Sequence, residues 1–554
     1  MDRVPAPAGQ RAIVRRHDRT PVPRPPGALV KSGFLRNTSV VGAMTLLSRI
    51  TGLVRDMVYA HLFGAGPFMD AFQMAFRIPN FLRRITGEGA FSQAFVPVVA
   101  EYRLKGDAAA SRRLVAGVTG RLGLVLLLIT LAGVIGAPVV MRVFAPGFVV
   151  GSERYLLAVG MLRWTFPYIF FISLTALGAG VLNAYGRFGT AAFNPVLLNV
   201  IMILFAAVIA PRSATPGLML AIGVFVAGLV QFIAQFRGLA SLGLLTRPSL
   251  DAAEEGVARV GKLMLPGIFG SSVAQISLLL GSLVASFLAT GSISWMYYAD
   301  RLVEFPMGVF SIALATVILP GLSAHHVEQA PERFNATLDW AMRLTVLVTV
   351  PATVGLVLLA MPLTATIYGH GHFVRHDVVM GSYALVGASF GLLGYSLVKV
   401  LAPGYYARQD TRTPVKVGLL ALAVTMAFNV LVVLPANHLG FFAPHALLAL
   451  SPGLGAYVNV ALLYRGLRRR GVYRPSAAWK RLLGVQLPLA TLVMAAFLWW
   501  AAGPPAAWPD YPAWQQVARL AGCVVGAVLA YAGTLALGGL TLADLRHARP
   551  PKAA

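Results

Sequence analysis

The sequence predicts an all-α, polytopic membrane protein of about fourteen transmembrane helices, in two pseudo-symmetric six-helix lobes around a central cationic cavity plus two C-terminal helices. First, 57% of the 554 residues are hydrophobic and only 12% are charged, whereas soluble domains are about 25% charged. The mean hydropathy of +0.72 agrees with this class. Second, long apolar runs alternate with short polar connections. Third, Lys and Arg concentrate in every other connection.

The apolar runs form three groups along the chain: six precede residue 240, six follow it and two close the chain. Their approximate limits are 34–62, 68–100, 114–138, 155–182, 191–210 and 215–236, then 260–289, 294–321, 337–360, 378–402, 414–435 and 442–464, then 482–502 and 513–541. Each run is close to the ~20 residues that cross the hydrocarbon core as a helix. The count is therefore about fourteen.

The connections between these runs alternate in positive charge. Those on one side carry Arg103, Lys105, Arg112, Arg113, Arg187, Arg237, Arg247, Arg259, Arg333, Arg408, Arg412 and the basic run from Arg465 to Arg481. Those on the other side hold only Arg142, Arg154, Arg212 and Arg375. Because cytoplasmic loops are enriched in Lys and Arg, both termini are predicted to be cytoplasmic and the helix number to be even.

The two ends of the chain differ from the apolar body. Residues 1–33 are rich in Pro and Arg and lack an apolar signal-peptide core, so they are predicted to form a disordered basic cytoplasmic tail. Residues 542–554 form a second cytoplasmic tail. The net charge of +26 has no compact soluble domain to carry it, which argues against nucleic-acid binding. The single cysteine, Cys523, lies in an apolar run and excludes an internal disulfide framework.

A weak internal repeat predicts how the helices are grouped. FRIPNF (76–81) resembles DRLVEF (300–305), and NAYGRFGTAAFNP (183–195) resembles GYYARQDTRTP (404–414), both at an offset of roughly 220 residues. Six helices restore the starting side of the membrane, so the halves would be parallel repeats facing a central cavity. The predicted units are 34–240, 241–470 and a separate C-terminal pair at 471–541.

The first two apolar runs carry charges that a lipid-facing helix would not tolerate. They are Arg49, Arg55, Asp56, Asp70, Arg77, Arg83, Arg84 and Glu88. Each charge at mid-membrane costs about 2.5–3.5 kcal/mol on insertion scales. These residues follow helical spacing and line surfaces, which predicts a polar, net-positive cavity inside the protein.

The second half repeats the charges in WMYYADRLVEFP (295–306), where Asp300 and Glu304 are four residues apart and flank Arg301 or a neighbouring cation. Positive charge exceeds negative charge across these helices, and surplus arginine favours an anionic partner. Phosphate or pyrophosphate suits the guanidinium fork, which binds two oxygens at once.

The predicted ligand contacts are therefore four arginines, and other charged residues keep two interpretations. The four are Arg49, Arg55, Arg83 and Arg301. For Asp56, Asp70, Arg77 and Arg84, structural pairing or anchoring is as well supported as a role in a ligand site.

No catalytic motif accompanies these charges. Walker A, HExxH and CxxC patterns are absent from the sequence, as is any convincing G-x-S-x-G. The histidines of HGHFVRHD (370–377) lie in a predicted external loop without a carboxylate cluster, so a solvated loop is favoured over a metal site. We expect neither an enzyme nor a bound cofactor or metal.

Five segments stand out by their sequence: SRITGLVRD, FGAGPFMDAFQMAFRIPNFLRRITGEGAFSQAFVPVVAEY, NPVLLNV, SWMYYADRLVEFP and KVLAPGYYARQDTRTPVK. Together they resemble the MurJ (MviN) family of lipid II flippases. That family belongs to the multidrug/oligosaccharidyl-lipid/polysaccharide exporter superfamily. The match runs from about residue 34 to the C-terminus. The resemblance implies fourteen helices, alternating access and a lipid-tail groove formed by the last two helices.

The resemblance also implies a cargo and a site. The cargo would be undecaprenyl-pyrophosphate-linked MurNAc-pentapeptide-GlcNAc, moved from the cytoplasmic to the periplasmic leaflet of the bacterial inner membrane for peptidoglycan synthesis. Arg49, Arg55, Arg83 and Arg301 match the family's cavity arginines, and Ser48, Asp56, Asp70, Glu88 and Glu304 match its cavity or gate positions. Some members bind sodium through acidic side chains, but 414–435 and 442–464 contain neither Asp nor Glu. Membrane lipids are implied partners, as are proteins of cell-wall synthesis and division.

Three alternatives remain open from the residues. Another exporter of the same superfamily could be an O-antigen-type flippase for lipid-linked oligosaccharides or a cation-coupled drug exporter. The arginine surplus disfavours cationic drugs. A non-transporting membrane scaffold for cell-wall enzymes would not need charges directed into the bundle.

Overall fold

The structure is a computed structural model that describes residues 27–83, 90–250, 255–308 and 312–541. The described residues are helical throughout, apart from short connections, and contain no strand. Arg84, Glu88, most of the predicted N-terminal tail and the tail at 542–554 lie outside them.

The described part of the first half forms nine helices. They are α1 (Gly27–Phe63), α2 (Pro67–Arg83), α3 (Ala90–Leu104), α4 (Ala108–Ile135), α5 (Ala137–Phe144), α6 (Glu153–Thr165), α7 (Tyr168–Ala184), α8 (Phe188–Leu204) and α9 (Pro216–Ser241). Side-chain caps start two of them: Asp107 accepts from the Ala110 amide, and Ser152 accepts from the Tyr155 amide.

The second half and the C-terminal pair contain the remaining thirteen helices of the described chain. They are α10 (Glu255–Ala285), α11 (Ser292–Pro306), α12 (Ile312–Val327), α13 (Pro331–Leu358), α14 (Ala360–Tyr368), α15 (Arg375–Ser389), α16 (Gly391–Tyr406), α17 (Arg412–Phe428), α18 (Leu434–His438), α19 (Pro444–Arg469), α20 (Ala478–Arg481), α21 (Leu487–Ala502) and α22 (Ala513–Leu537). Wider π-helical turns join α17 to α18 at Asn429–Val433 and α20 to α21 at Leu482–Gln486.

Ten helical stretches of the described chain are long and apolar enough to cross a membrane. They comprise α4, α6 with α7, α8, α9, α13, α15 with α16, α17 with α18, α19, α20 with α21, and α22. The other four predicted spans correspond to α1, α2 with α3, α10, and α11 with α12. The all-helical membrane class is confirmed, whereas the count of fourteen stays a prediction.

Packing of the core differs between the two ends of the bundle. One continuous apolar cluster joins the halves at the end that contains the α1–α2 and α10–α11 turns, with Tyr59 and Phe72 from the first half and Tyr298 and Tyr368 from the second. We call this the sealed end. At the opposite, open end, where α3, α9 and α19 terminate, the described buried residues form two separate clusters, one from the second half and one from the first half with the start of α10.

Helices α10, α21 and α22 connect or flank the halves. Although α10 begins the predicted second lobe, it packs against α3 of the first half as well as α17 of the second. The pair α21 and α22 packs on itself and on α13 and α14. The predicted unit boundaries near residues 240 and 470 stay predictions.

Candidate functional site

A cavity of about 1380 Å³ lies between the halves. Residues of α1 and α8 form one wall, and residues of α11, α13, α14, α21 and α22 form the other walls. Its lining is polar at one side and almost wholly apolar along the channel beside α13 and α22. A cavity of this kind can hold a molecule with a charged head and a long hydrocarbon chain.

The polar side of the cavity contains six of the residues predicted from the sequence. They are Ser48, Arg49, Arg55, Asp56, Arg301 and Glu304. Three arginines therefore face two carboxylates, which leaves a surplus of one positive charge. That surplus agrees with the expectation of an anionic ligand.

Asp56 is the centre of this polar group and is 1% exposed. Its carboxylate pairs with Nη2 of Arg55 at 2.7 Å and with Nε of Arg301 at 3.2 Å. The hydroxyl of Tyr297 donates to it at 2.6 Å. Since Arg55 is on α1 and Arg301 is on α11, one carboxylate joins the two halves across the cavity.

Arg55 is held more completely than the other cavity arginines. Besides Asp56, it donates to Oδ1 of Asn199 and to the hydroxyl of Tyr297, each at 2.9 Å. Asn199 donates in turn to the carbonyl of Ser48 at 2.9 Å. Arg55 therefore combines a structural role with its position on the cavity wall.

Arg301 and Arg49 are more available to a ligand. Arg301 pairs with Glu304 at 2.9 Å, lies over the ring of Tyr297 and keeps about a third of its side chain exposed. Arg49 forms no hydrogen bond or ion pair within the described residues, and its guanidinium lies against Gly308, where an added Cβ would come within 2.1 Å of Nη1. A larger residue at position 308 would therefore displace the Arg49 guanidinium.

Asp70 lies at the sealed end and is not part of the cavity lining. It is 0% exposed and accepts hydrogen bonds from the amides of Gly291 and Ser294 at 2.8 and 3.0 Å and from the Ser294 hydroxyl at 2.7 Å. Arg154 approaches it at 3.4 Å. Asp70 therefore caps α11 of the other half, where a negative charge complements the helix N-terminus.

Glycines let the backbones of the two halves touch at the sealed end. The amide of His372 donates to the carbonyl of His61 at 2.9 Å. An added Cβ at Gly64 would lie 2.3 Å from the His372 carbonyl oxygen, and one at Gly371 would lie 2.3 Å from that of His61. These approaches close the sealed end without side chains between them.

Three other predicted site residues, Arg77, Arg83 and Asp300, do not line this cavity. Arg77 donates to the hydroxyl of Ser282 at 2.5 Å, and Arg83 donates to Oδ1 of Asn80 at 2.9 Å. Asp300 is exposed and does not line the cavity. Sequence reasoning missed Tyr297 and Asn199, although both lie in segments that carry the family resemblance.

The family model described as "Lipid II flippase MurJ" matches residues 59–508. A "Probable lipid II flippase MurJ" from Vibrio cholerae is 43% identical over 94% of this chain and 99% of that protein. A "Lipid II flippase MurJ" from Burkholderia cenocepacia is 42% identical over 93% of this chain and 99% of that protein.

Solved structures share the fold. A structure titled "Lipid II flippase MurJ, inward closed conformation" has a TM-score of 0.75 at 24% identity and covers 90% of this chain and 98% of its own. An inward-facing multidrug resistance MATE family transporter of the MOP superfamily has a TM-score of 0.61 at 14% identity, with 78% and 97% coverage. At such identities the likeness concerns the fold alone.

Proposed function

The chain belongs to the lipid II flippase MurJ family, and on this premise we propose that it moves lipid II from the cytoplasmic to the periplasmic leaflet by alternating access. The observation that carries the proposal is the cavity, which combines an arginine-rich polar side with a long apolar channel. A lipid-linked pyrophosphate has the same two parts.

The polar side suits the pyrophosphate. Arg301 keeps about a third of its side chain exposed, and Arg49 lines the cavity without a hydrogen bond or ion pair to another described residue, whereas Arg55 supports them from the wall. A pyrophosphate entering this space competes with Asp56 and Glu304 for Arg301, because its oxygens accept paired guanidinium hydrogen bonds as a carboxylate does. Substrate binding thereby loosens the bridge between α1 and α11.

The apolar channel suits the isoprenoid tail. Val524, Val528, Tyr531 and Leu535 of α22 line it opposite Leu347 of α13. A tail in this channel stays in a hydrocarbon environment while the pyrophosphate and sugars occupy the polar side. This arrangement supports the predicted groove of the C-terminal helix pair.

The sealed end is assigned to the periplasm and the open end to the cytoplasm. The basic loops that follow α3, α9 and α19 all lie at the open end, as the positive-inside rule requires of cytoplasmic loops. Both termini are then cytoplasmic. The structure corresponds to a state closed toward the periplasm, from which release requires the Asp70 contacts to open.

The experiment that tests the function is depletion of the chain in its own cells, followed by an assay of which leaflet holds lipid II. We expect lipid II to accumulate in the cytoplasmic leaflet and to move again when the wild-type chain is restored. Accumulation of a different lipid-linked sugar would instead favour an O-antigen-type flippase. Normal lipid II distribution with failed assembly of cell-wall enzymes would favour a scaffold.

A further inference from the structure

A second, smaller pocket of about 180 Å³ lies at the open end, between α13, α20 and the end of α22. It adjoins the apolar channel, because Leu344, Leu347 and Leu540 line both spaces. Its position at the cytoplasmic end of that channel gives it access to the leaflet from which the proposed substrate comes.

Arginines make this pocket positive. Arg343 of α13 and Arg481 of α20 are the only charged side chains among the described residues that line it. They come from two helices that are far apart in the chain. Two cations that converge on a small, partly buried space favour an anion between them.

Arg343 is oriented for such an anion by a buried carboxylate. Asp339, 2% exposed, accepts from Nε of Arg343 at 3.0 Å. The same carboxylate also accepts hydrogen bonds from Tyr473, Ser476 and Trp479 at 2.7–2.8 Å. Because its negative charge is shared among these donors, Asp339 compensates the positive charge of Arg343 only in part. Within the described chain, the terminal nitrogens of Arg343 carry no hydrogen bond.

Arg481 is fixed from the other side. One of its terminal nitrogens donates to the carbonyl of Gly538 at 2.9 Å, at the end of α22. A neutral carbonyl leaves the charge of the guanidinium uncompensated. The pocket thus presents two positioned cations above an apolar floor of Leu344, Leu347 and Leu540.

We propose that Arg343 and Arg481 form a second phosphate-binding site, where the pyrophosphate of an isoprenoid-linked lipid is captured before it moves into the central cavity. The adjoining leucines select a phosphate that carries a hydrocarbon tail over a free anion. This inference rests on the proposed function and adds a step to it: capture at the cytoplasmic mouth of the channel precedes binding at Arg301.

The test uses the purified full-length chain, undecaprenyl pyrophosphate as the probe and the double variant R343A/R481A. We expect binding of the probe at this site to weaken about a hundredfold or more, because two charge-assisted contacts are lost and each contributes about tenfold or more. In a reconstituted flipping assay the substrate concentration for half-maximal rate should rise, while the maximal rate stays near that of the wild type. A merely structural defect would instead lower the maximal rate.

The matched control is K480A, which removes a positive charge beside Arg481 but not from the pocket lining. It should stay within about twofold of the wild type. R343K/R481K, which keeps both charges, should recover part of the affinity and confirm that the chain folds. Wild-type affinity and wild-type half-saturation in R343A/R481A would overturn the proposal.

Two further probes distinguish the source of the phosphate. If R343A/R481A loses binding to phosphatidylglycerol vesicles as strongly as it loses binding to undecaprenyl pyrophosphate, the site binds an ordinary anionic lipid and the assignment to the substrate is overturned. Equal loss of binding to inorganic pyrophosphate would overturn the role of the tail. If the wild-type chain itself neither binds the probe nor flips lipid II, the proposed function fails. If the wild-type chain flips lipid II normally and the double variant is unaffected, only the second site fails.

Discussion

Two buried aspartates join the halves of this protein, and they do so with different partners. Asp70 at the sealed end is bound by two backbone amides and a hydroxyl, with Arg154 at a longer distance. Asp56 beside the cavity is bound by Arg55, Arg301 and the hydroxyl of Tyr297. Neutral backbone donors are not drawn away by an anionic ligand, whereas arginines are. Under the proposed function, this contrast would let a substrate loosen the bridge at Asp56 and leave the contacts of Asp70 closed.

The largest effect is expected at Asp70. Replacing it by alanine leaves Arg154 and the first amides of α11 without their acceptor, which should destabilise the closed sealed end by about 3–5 kcal/mol. We expect Asp70→Ala to insert but to lose transport, and the Gly291 and Ser294 amides to exchange hydrogen faster. Asp70→Asn keeps one acceptor oxygen, so its transport and its amide exchange should lie between those of the wild type and Asp70→Ala. Unchanged exchange in Asp70→Ala would remove the distinction between the two aspartates.

Arg301 tests the other side of the comparison. Loss of a charge-assisted contact contributes about 1.5–3 kcal/mol, so Arg301→Ala should bind lipid II about ten- to hundredfold more weakly and stop flipping. Arg301→Lys should recover only part, because lysine lacks the planar fork.

A second substitution separates binding from structure at this position. If Arg301 mainly holds the helices together through Glu304, adding Glu304→Ala should restore flipping to Arg301→Ala. Our interpretation predicts no rescue. Lipid II affinity of the single and double variants, measured on inserted protein, decides between them.

The close backbone contact between Gly64 and His372 at the sealed end should be sensitive to one added methyl group. Gly64 has φ +62°, a left-handed conformation, and an added Cβ would meet the His372 carbonyl. Gly64→Ala should therefore cost about 1–2 kcal/mol from the backbone alone and speed exchange of the His372 amide. Gly66→Ala is the control, since nothing lies within 4 Å of its added Cβ. Equal exchange of the His372 amide in Gly64→Ala and Gly66→Ala would show that the closed sealed end does not depend on this close backbone contact.

Adjacent valines of α22 separate the channel from the lipid-facing surface. Val524 lines the cavity, whereas Val525 is 58% exposed and does not line it. Val524→Asn should reduce flipping severalfold because an amide in the channel must be desolvated against the tail, while Val525→Asn should leave flipping near the wild-type rate. Loss of transport in Val525→Asn alone would place the tail elsewhere.

A third carboxylate, in the connection between α16 and α17, should matter least. Asp410 accepts from Arg470 and Thr413, and these hydrogen bonds lower its pKa to about 2. Because the folded pKa lies below the unfolded value of about 3.9, its stabilisation is present above about pH 4 and is lost as the pH falls toward about 2. The free energies of unfolding of wild type and Asp410→Asn, measured by thermal unfolding, should differ by less than about 1 kcal/mol at about pH 6 and converge in acid. A gap that widens in acid would contradict this.

The sequence alone determined the membrane class, the cationic character of the cavity and the family. Apolar runs of spanning length have few other uses, and charges inside them must face water, each other or a ligand. These charges predict Arg49, Arg55, Asp56, Arg301 and Glu304, the family resemblance adds Ser48, and the structure brings all six together on one side of the cavity.

Tertiary structure decided which of these charges are partners. Periodicity places Asp56 and Asp70 on their helices, but it does not say that Asp56 bridges to Arg301 or that Asp70 caps α11, since these contacts join residues more than 200 positions apart. It also left Arg83 and Asp300 outside the cavity lining and placed Arg343 and Arg481 in the lining of one smaller pocket. Side-chain pairing depends on how helices rotate and approach one another, and a single sequence records the faces of helices but not those angles.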